Sequence, residues 1–439
     1  MSLAQKYLRN TTWLFAGRSF KMALGFIASA IVARHLGPDN FGIISYCYSL
    51  IAITMVLVSV GIEAIIVREV VKHPTQQSEI LGSSIIIQYF SASASFLLLL
   101  LSTYILNLDH ETTTLVLIAA ISLAFKPLCI LRNLFEAKVD AKTIALSELI
   151  QTVLSFVFRI ALVILKAPLE WFAFCLSLEW IASGIILLHF YRRKYTATGK
   201  LFSFSAKCSK RMLSLSWPLL IAAVTIVLHQ QIDRVMMRDL LGADANNQIG
   251  IYSAAGLISS MVVFLPQIIV SSLTPYLVEA HHKSADLYKS RVAIFMDLIN
   301  GSSMLIALGV TMLAQQIILF AYGPSYQASA IVLQILAWKG FLVATGMATG
   351  RQSTVENLQR YGYWRNFIGI CINIPVNCLL IPSHGAIGAA LSTVISMLFA
   401  NFVSHAIIKP YRHIFLIQLK SICAAWYRLP LMALNQARH

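Results

Sequence analysis

The chain of 439 residues is 58% hydrophobic and only 12% charged, with a mean hydropathy of +0.74. A soluble domain carries roughly 25% charged residues to cover itself against water, so this composition excludes a water-soluble shell and makes lipid the solvent. The formal charge of +16 would suggest nucleic acid in a soluble protein. Here it reflects the Lys and Arg that cytoplasmic loops of membrane proteins concentrate, and no nucleic-acid partner is expected.

A hydrocarbon core of about 30 Å needs about 20 apolar residues per helix. Apolar runs bounded by charge, Pro, Gly or polar clusters predict spans near 11–33, 41–61, 81–105, 115–135, 143–165 and 170–190. A second set follows near 211–233, 249–272, 291–313, 328–349, 361–381 and 385–408. The expected fold class is an all-α integral membrane protein of about twelve transmembrane helices in two six-helix bundles. The expected domains are an N-terminal bundle over 1–190, a basic cytoplasmic linker over 191–210, a C-terminal bundle over 211–408 and a basic cytoplasmic or interfacial tail over 409–439. Lys6 and Arg9 precede an apolar run ending at Ala28-Ser29-Ala30, as in a signal peptide, but Arg18 and Lys21 interrupt it, so the first segment reads as an uncleaved span.

Orientation follows from the basic residues. With those at span ends counted in the adjoining loops, 25 of the 34 Lys and Arg fall on the side of the N-terminal tail, 4 on the other side and five within spans. That bias predicts both termini in the cytoplasm. A weak repeat crosses the linker: ARHLGPDNFGIISY at 33–46 echoes RDLLGADANNQIGIYS at 238–253, aligning Leu36-Gly37 with Leu241-Gly242 and Gly42-Ile43 with Gly250-Ile251. Each copy joins the first two spans of its half, so the repeat is parallel, about an axis along the membrane normal.

Five cations lie within predicted spans: Arg18 and Lys21 in the first, Lys126 in the fourth, Arg159 in the fifth and Lys339 in the tenth. Each costs at least about 2.5–3.5 kcal/mol at the bilayer centre unless it faces the bundle interior or water. Polar residues share their helical faces: Thr11, Arg18, Lys21, Gly25 and Ser29; Ser122, Lys126, Cys129 and Asn133; Glu148, Thr152, Ser155 and Arg159. Spans seven and eleven show similar stripes, through Ser214, Pro218, Thr225, His229 and Asp233, and through Asn366, Asn373 and Asn377. The five cations are the candidate lining of a cationic cavity for an anionic substrate such as a diphosphate, with Arg binding in bidentate fashion and Lys as a point charge. The bland reading is that they pair with acids to hold helices together, or snorkel to an interface. Acids are scarcer near the spans: Glu63, Glu148, Glu179, Asp233 and Asp297. Glu179 beside Trp180, and Asp233 one turn from His229, are candidates for ion coupling or for ion pairing, Asp233 with its neighbour Arg234.

Seven cysteines show no metal spacing, His281-His282 lacks a third ligand, and no Walker-type loop is present. No metal, cofactor or covalent catalysis is expected.

Four stretches carry a family resemblance: ARHLGPDNFGIISYCYSL at 33–50, GIEAIIVREVVKHP at 61–74, QIDRVMMRDLLGADANNQIGIYSAA at 231–255 and YGPSYQASAIVLQILAW at 322–338. In order and spacing the chain resembles the Wzx-type flippases of O-antigen and capsule repeat units, relatives of the multidrug and toxin extrusion (MATE) transporters. The resemblance implies two bundles around a central cavity, working by alternating access in the bacterial inner membrane. It implies undecaprenyl-diphosphate-linked glycan and membrane lipid as partners, with a polysaccharide polymerase and a chain-length regulator in the same assembly. Gly37 and Gly42 match family glycines of structural role. An ion-coupled small-molecule exporter and a non-transporting scaffold of a glycan-assembly complex are the alternatives; the surplus of basic residues weighs against an exporter of cationic drugs.

Overall fold

The computed structural model describes residues 3–195 and 202–423. All regular structure among them is helical. Nine continuous runs are long and apolar enough to cross a bilayer, and three are too long for one crossing: 54 residues over 19–72, 78 over 206–283 and 44 over 364–407. Each of the three contains a glycine at positive φ, Gly37 (72°), Gly242 (56°) and Gly385 (53°), where the helix breaks. Nine runs with three such elbows accommodate the twelve spans expected from hydropathy.

Internal contacts divide the chain into two units. The first runs up to Leu36 and resumes over Ile43–Val235; the second comprises Gly37–Gly42 and the chain from Met236. The first unit contains most of α1 (Leu3–Ser59), then α2 (Glu63–Lys72), α3 (Gln77–Ile105), α4 (His110–Ala120), α5 (Ser122–Phe125), α6 (Leu131–Ala137), α7 (Ala141–Ile164), α8 (Leu169–Tyr195) and α9 (Ala206–Leu241) as far as Val235. At one end of this unit Ile62, Ile66, Leu131, Leu134, Phe135 and Met212 form a core. Polar contacts close the same end: Ser203 N donates to Ser78 O at 3.2 Å, Ser205 N to Ser83 Oγ at 3.1 Å, and Arg211 lies 3.5 Å from Glu69. Asp140 caps α7 and pairs with Lys194. Partial burial alone would raise its carboxyl, but hydrogen bonds from Lys194 and Thr143 hold it below the usual carboxylate range.

The fourth span is discontinuous. After α5 a tight 3₁₀ stretch, Lys126–Ile130, intervenes before α6. Pro127 explains it, having no N–H to donate and a ring that clashes with the carbonyl one turn back. The polar stripe through Ser122, Lys126, Cys129 and Asn133 therefore does not ride on one regular helix. Ser177 on α8 compensates for the preceding irregularity at Ile121, donating from Oγ toward Ile118 O and Ala119 O and accepting from Ser122 N at 3.2 Å. In hydrocarbon such a repair is obligatory.

The second unit contains α10 (Ala245–Lys283), α11 (Ala285–Tyr322), α12 (Ser329–Val355), α13 (Gly362–Leu398) and α14 (Ser404–Ile407), followed by a helix over 412–423. That last helix buries Ile414, Gln418 and Ser421, with Gln418 bonded to His405 at 2.9 Å and Ser421 accepting from Asn300 at 3.0 Å. The two copies of the repeat meet within this unit. A Cβ on Gly42 would stand 1.8 Å from Asn246 O, and one on Gly250 would stand 1.9 Å from Pro38 O. Asn247 Nδ2 donates to Asp39 Oδ2 at 3.1 Å across the same contact. Gly37 has φ 72° and ψ 170°, a conformation open essentially to glycine alone.

Gly42→Ala and Gly250→Ala should each destabilise the protein by about 3 kcal/mol, at the upper end of the usual cost of overpacking. Heating followed by size-exclusion chromatography in detergent reads this. Loss of monodispersity at clearly lower temperature in both variants is expected, and wild-type behaviour in both would refute the reciprocal contact.

Candidate functional site

Two cations of the first unit lie deep in spans, and each is met by an acid from another helix. Lys126, at the break in the fourth span, places Nζ 2.5 Å from Glu63 Oε1 and 4.8 Å from the centre of the Trp180 ring. Glu63 opens α2 directly after the Val60-Gly61 elbow, where both residues have positive φ. Arg159 on α7 places Nη2 2.5 Å from Glu179 Oε1 on α8, and Ser155, one turn back, donates to the same oxygen at 3.0 Å. Glu179 and Trp180 are neighbours in sequence, so α8 addresses both cations from adjacent positions. Tyr48, half exposed, lies in the field of Arg234, Glu179 and Arg159.

The other expected residues are placed as follows. Lys21 is exposed on α1, and its charge reaches Cys129 together with those of Lys126 and Glu63. The side chain of Arg18 lies outside the described residues. Lys339 is half-buried and engaged on α12 of the second unit. His229 and Asp233 are buried and engaged on α9, while Arg234 donates to Gln231 Oε1 at 2.8 Å and Ser49 donates to the same atom at 3.1 Å. Glu148, on the sequence stripe of Arg159, instead accepts from Arg132 Nε at 3.0 Å. Among the described residues no group of three His, Cys, Asp or Glu is placed to hold a metal.

Sequence reasoning passed over one partly buried cation. Arg365, counted with a loop, is the fourth residue of α13, and its Nη1 donates to Gly346 O at 2.9 Å. The signal was available, since it lies inside the expected span 361–381. Burial lines Asn373 and Asn377 up with Ser392 and Ser396 in a neutral network, in which Asn377 Nδ2 donates to Asn373 Oδ1 at 3.1 Å.

Chemically, the first unit offers two ion-paired cations within spans, Lys126 and Arg159, of which Lys126 lies against the Trp180 face. The fold that carries them is a multi-pass helical membrane fold. It superposes on the inward-facing structure of a multidrug-resistance transporter of the MATE family in the MOP superfamily, with a TM-score of 0.73, 15% identity and coverage of 92% of this chain and 95% of that one. Residues 7–281 match the family described as polysaccharide biosynthesis protein, and the chain belongs to that family. Similar relatives include the capsular polysaccharide biosynthesis protein CapF of Staphylococcus aureus, 21% identical over 90% of this chain and 97% of its own length. Another is the probable low-salt glycan biosynthesis flippase Agl15 of Haloferax volcanii, 21% identical over 91% of this chain and 82% of its own length.

Breaking a buried pair costs most when the more buried charge is left alone. Arg159 is 16% exposed and Glu179 35%, so Glu179→Gln should lower stability more than Arg159→Gln, by about 2 kcal/mol, less than for a fully buried pair. Thermal unfolding of both variants in one detergent checks this, and the reverse order would refute it.

Proposed function

We propose that this protein is a flippase that carries undecaprenyl-diphosphate-linked oligosaccharide repeat units from the cytoplasmic to the periplasmic leaflet of the inner membrane, by alternating access, for O-antigen or another surface polysaccharide. Both termini are assigned to the cytoplasm on the distribution of Lys and Arg. The observation that carries the reading is the pair of fixed cations, Lys126 and Arg159, held within spans of a chain from a polysaccharide biosynthesis family. A drug exporter of the same fold would need no anion-binding charges at this depth, whereas a diphosphate crossing hydrocarbon requires them. The two cations bind the diphosphate and adjoining acidic sugars, while the polyprenyl tail stays in lipid. Lys21, Arg18 and Lys339 are assigned to the same substrate path. Glu179, His229 and Asp233 are kept as candidates for ion coupling, and a polymerase and a chain-length regulator as partners in assembly.

The test is reconstitution in liposomes with a fluorescent lipid-linked oligosaccharide, with leaflet exchange followed by quenching from outside. Wild-type protein should accelerate exchange, and Lys126→Gln with Arg159→Gln should lower the rate by about 100-fold, on the scale of two charge-assisted contacts of about 1.5 kcal/mol each. Undiminished exchange in that double variant would overturn the assignment.

A further inference from the structure

Burial is distributed oppositely in two classes of ion pair. Four other pairs link different elements: Arg211 with Glu69, Arg132 with Glu148, Lys194 with Asp140 and His413 with Glu356. In each the acid is the more buried partner; Glu69 is 5% exposed against 36% for Arg211, and Glu356 is 13% exposed against 50% for His413. In the two pairs at span depth the order reverses. Lys126 is 10% exposed and Glu63 42%, and Arg159 is 16% exposed against 35% for Glu179. Among the described ion pairs between different elements only these two bury the cation more than the acid; the pairs within one helix that share the order, Arg132 with Glu136 and Lys289 with Asp286, bury neither charge. A site that exchanges one anion for another needs that arrangement, because the cation must stay fixed while its partner leaves.

The local backbone fits the same division of labour. Lys126 is fixed at a 3₁₀ stretch under the Trp180 ring. Glu63 has no second hydrogen-bond partner beyond Lys126 among the described residues, and it starts a short helix behind a two-residue elbow.

Building on the reading of a diphosphate-lipid substrate, we propose that Glu63 is an internal stand-in for the substrate anion: it occupies Lys126 in the empty carrier and is displaced by the diphosphate. Displacement keeps the more buried charge, Lys126, paired through the cycle, and the charge it releases is the Glu63 carboxylate, which at 42% exposed is the partner more accessible to water. It also makes binding of the lipid and release of α2 from Lys126 the same event, because the two anions compete for one ammonium. Glu63 thereby acts as a positioning residue that lowers the affinity for the carried anion and favours its release. Glu179 shares the order of burial with Arg159, but a hydrogen bond from Ser155 also holds it, so the stand-in role is assigned to Glu63 alone.

The experiment measures binding of undecaprenyl diphosphate to the purified full-length protein in nanodiscs, by tryptophan fluorescence and by the thermal shift it induces, with undecaprenol as the uncharged control. Glu63→Gln should unfold at lower temperature than wild type when empty. It should bind undecaprenyl diphosphate about fivefold or more tightly, because an internal competitor has been removed, and show a larger ligand-induced shift. The swapped variant Glu63→Lys with Lys126→Glu keeps an ion pair, and with it the fold, but should lose binding. Wild-type binding with equal or weaker binding by Glu63→Gln would overturn the stand-in role while leaving a diphosphate carrier in place. Undiminished binding by the swapped variant would overturn it as well. Absence of binding by wild type and Glu63→Gln alike would overturn the diphosphate reading itself, and this inference with it.

Discussion

A charge or an unpaired backbone group has nowhere to discharge its polarity inside a bilayer, and the organisation of this chain depends on that constraint. It forces Lys126 and Arg159 to find acids on other helices. It also forces each irregularity in a span to be repaired by a neighbour, as Ser177 does for α4 and α5. A cation at this depth is therefore a point where separate helices are fastened together, and any change in its partner is felt by the helices that carry both groups.

Irregular backbone gathers around Lys126. The elbow at Val60-Gly61 leads into Glu63, and Pro127 interrupts the fourth span beside it. Gly61 lies so close to α9 that a Cβ would stand 2.7 Å from Ser216 O, two residues before Pro218 in that helix. Three spans thus depart from regular helix or contain a proline within one neighbourhood of the first unit. Each departure has an identifiable cause, a glycine at positive φ or a proline that removes a helical hydrogen bond. The ion pair sits between two such breaks, the Val60-Gly61 elbow and the 3₁₀ stretch at Lys126.

Much of this was legible in the sequence and some was not, for definite reasons. Hydropathy locates spans because each helix must satisfy the bilayer on its own, so 143–165 and 170–190 return as α7 and α8. The glycine repeat was legible because Gly37 and Gly242 keep positive φ, and because Gly42 and Gly250 each leave room for the other copy's backbone. Partner choice was not legible. Glu63 and Lys126 are 63 residues apart, and Glu148 lies on the stripe of Arg159 yet pairs with Arg132. Periodicity gives the face of a helix and says nothing about which face meets it. The break at Lys126 was signalled by Pro127, but a proline in a span can kink a helix or pass almost unnoticed, and only its neighbours decide. Arg365 was misplaced for a related reason: its proximity to Arg360 made it look like a loop residue, although α13 already begins at Gly362.

The repeat constrains backbone more than chemistry. Both halves carry the glycine elbow, yet their spans settle buried polarity differently. The first unit uses ion pairs between α2 and the fourth span and between α7 and α8. The second contains extended neutral networks: Thr345 Oγ1 donates to Asn300 Oδ1, Asn300 Nδ2 to Ser421 Oγ, and Asn377 to Asn373. Amide and hydroxyl networks of this kind are directional, and they are rigid once each member is satisfied. An ammonium such as that of Lys126 is a point charge that can meet an anion from a range of directions, whereas the Arg159 guanidinium is a planar fork. The glycine elbows therefore fix where each half turns, while the side chains that meet across its spans are free to differ: charged pairs between α2 and the fourth span and between α7 and α8 in the first unit, amide and hydroxyl chains through Asn300 and Asn373 in the second.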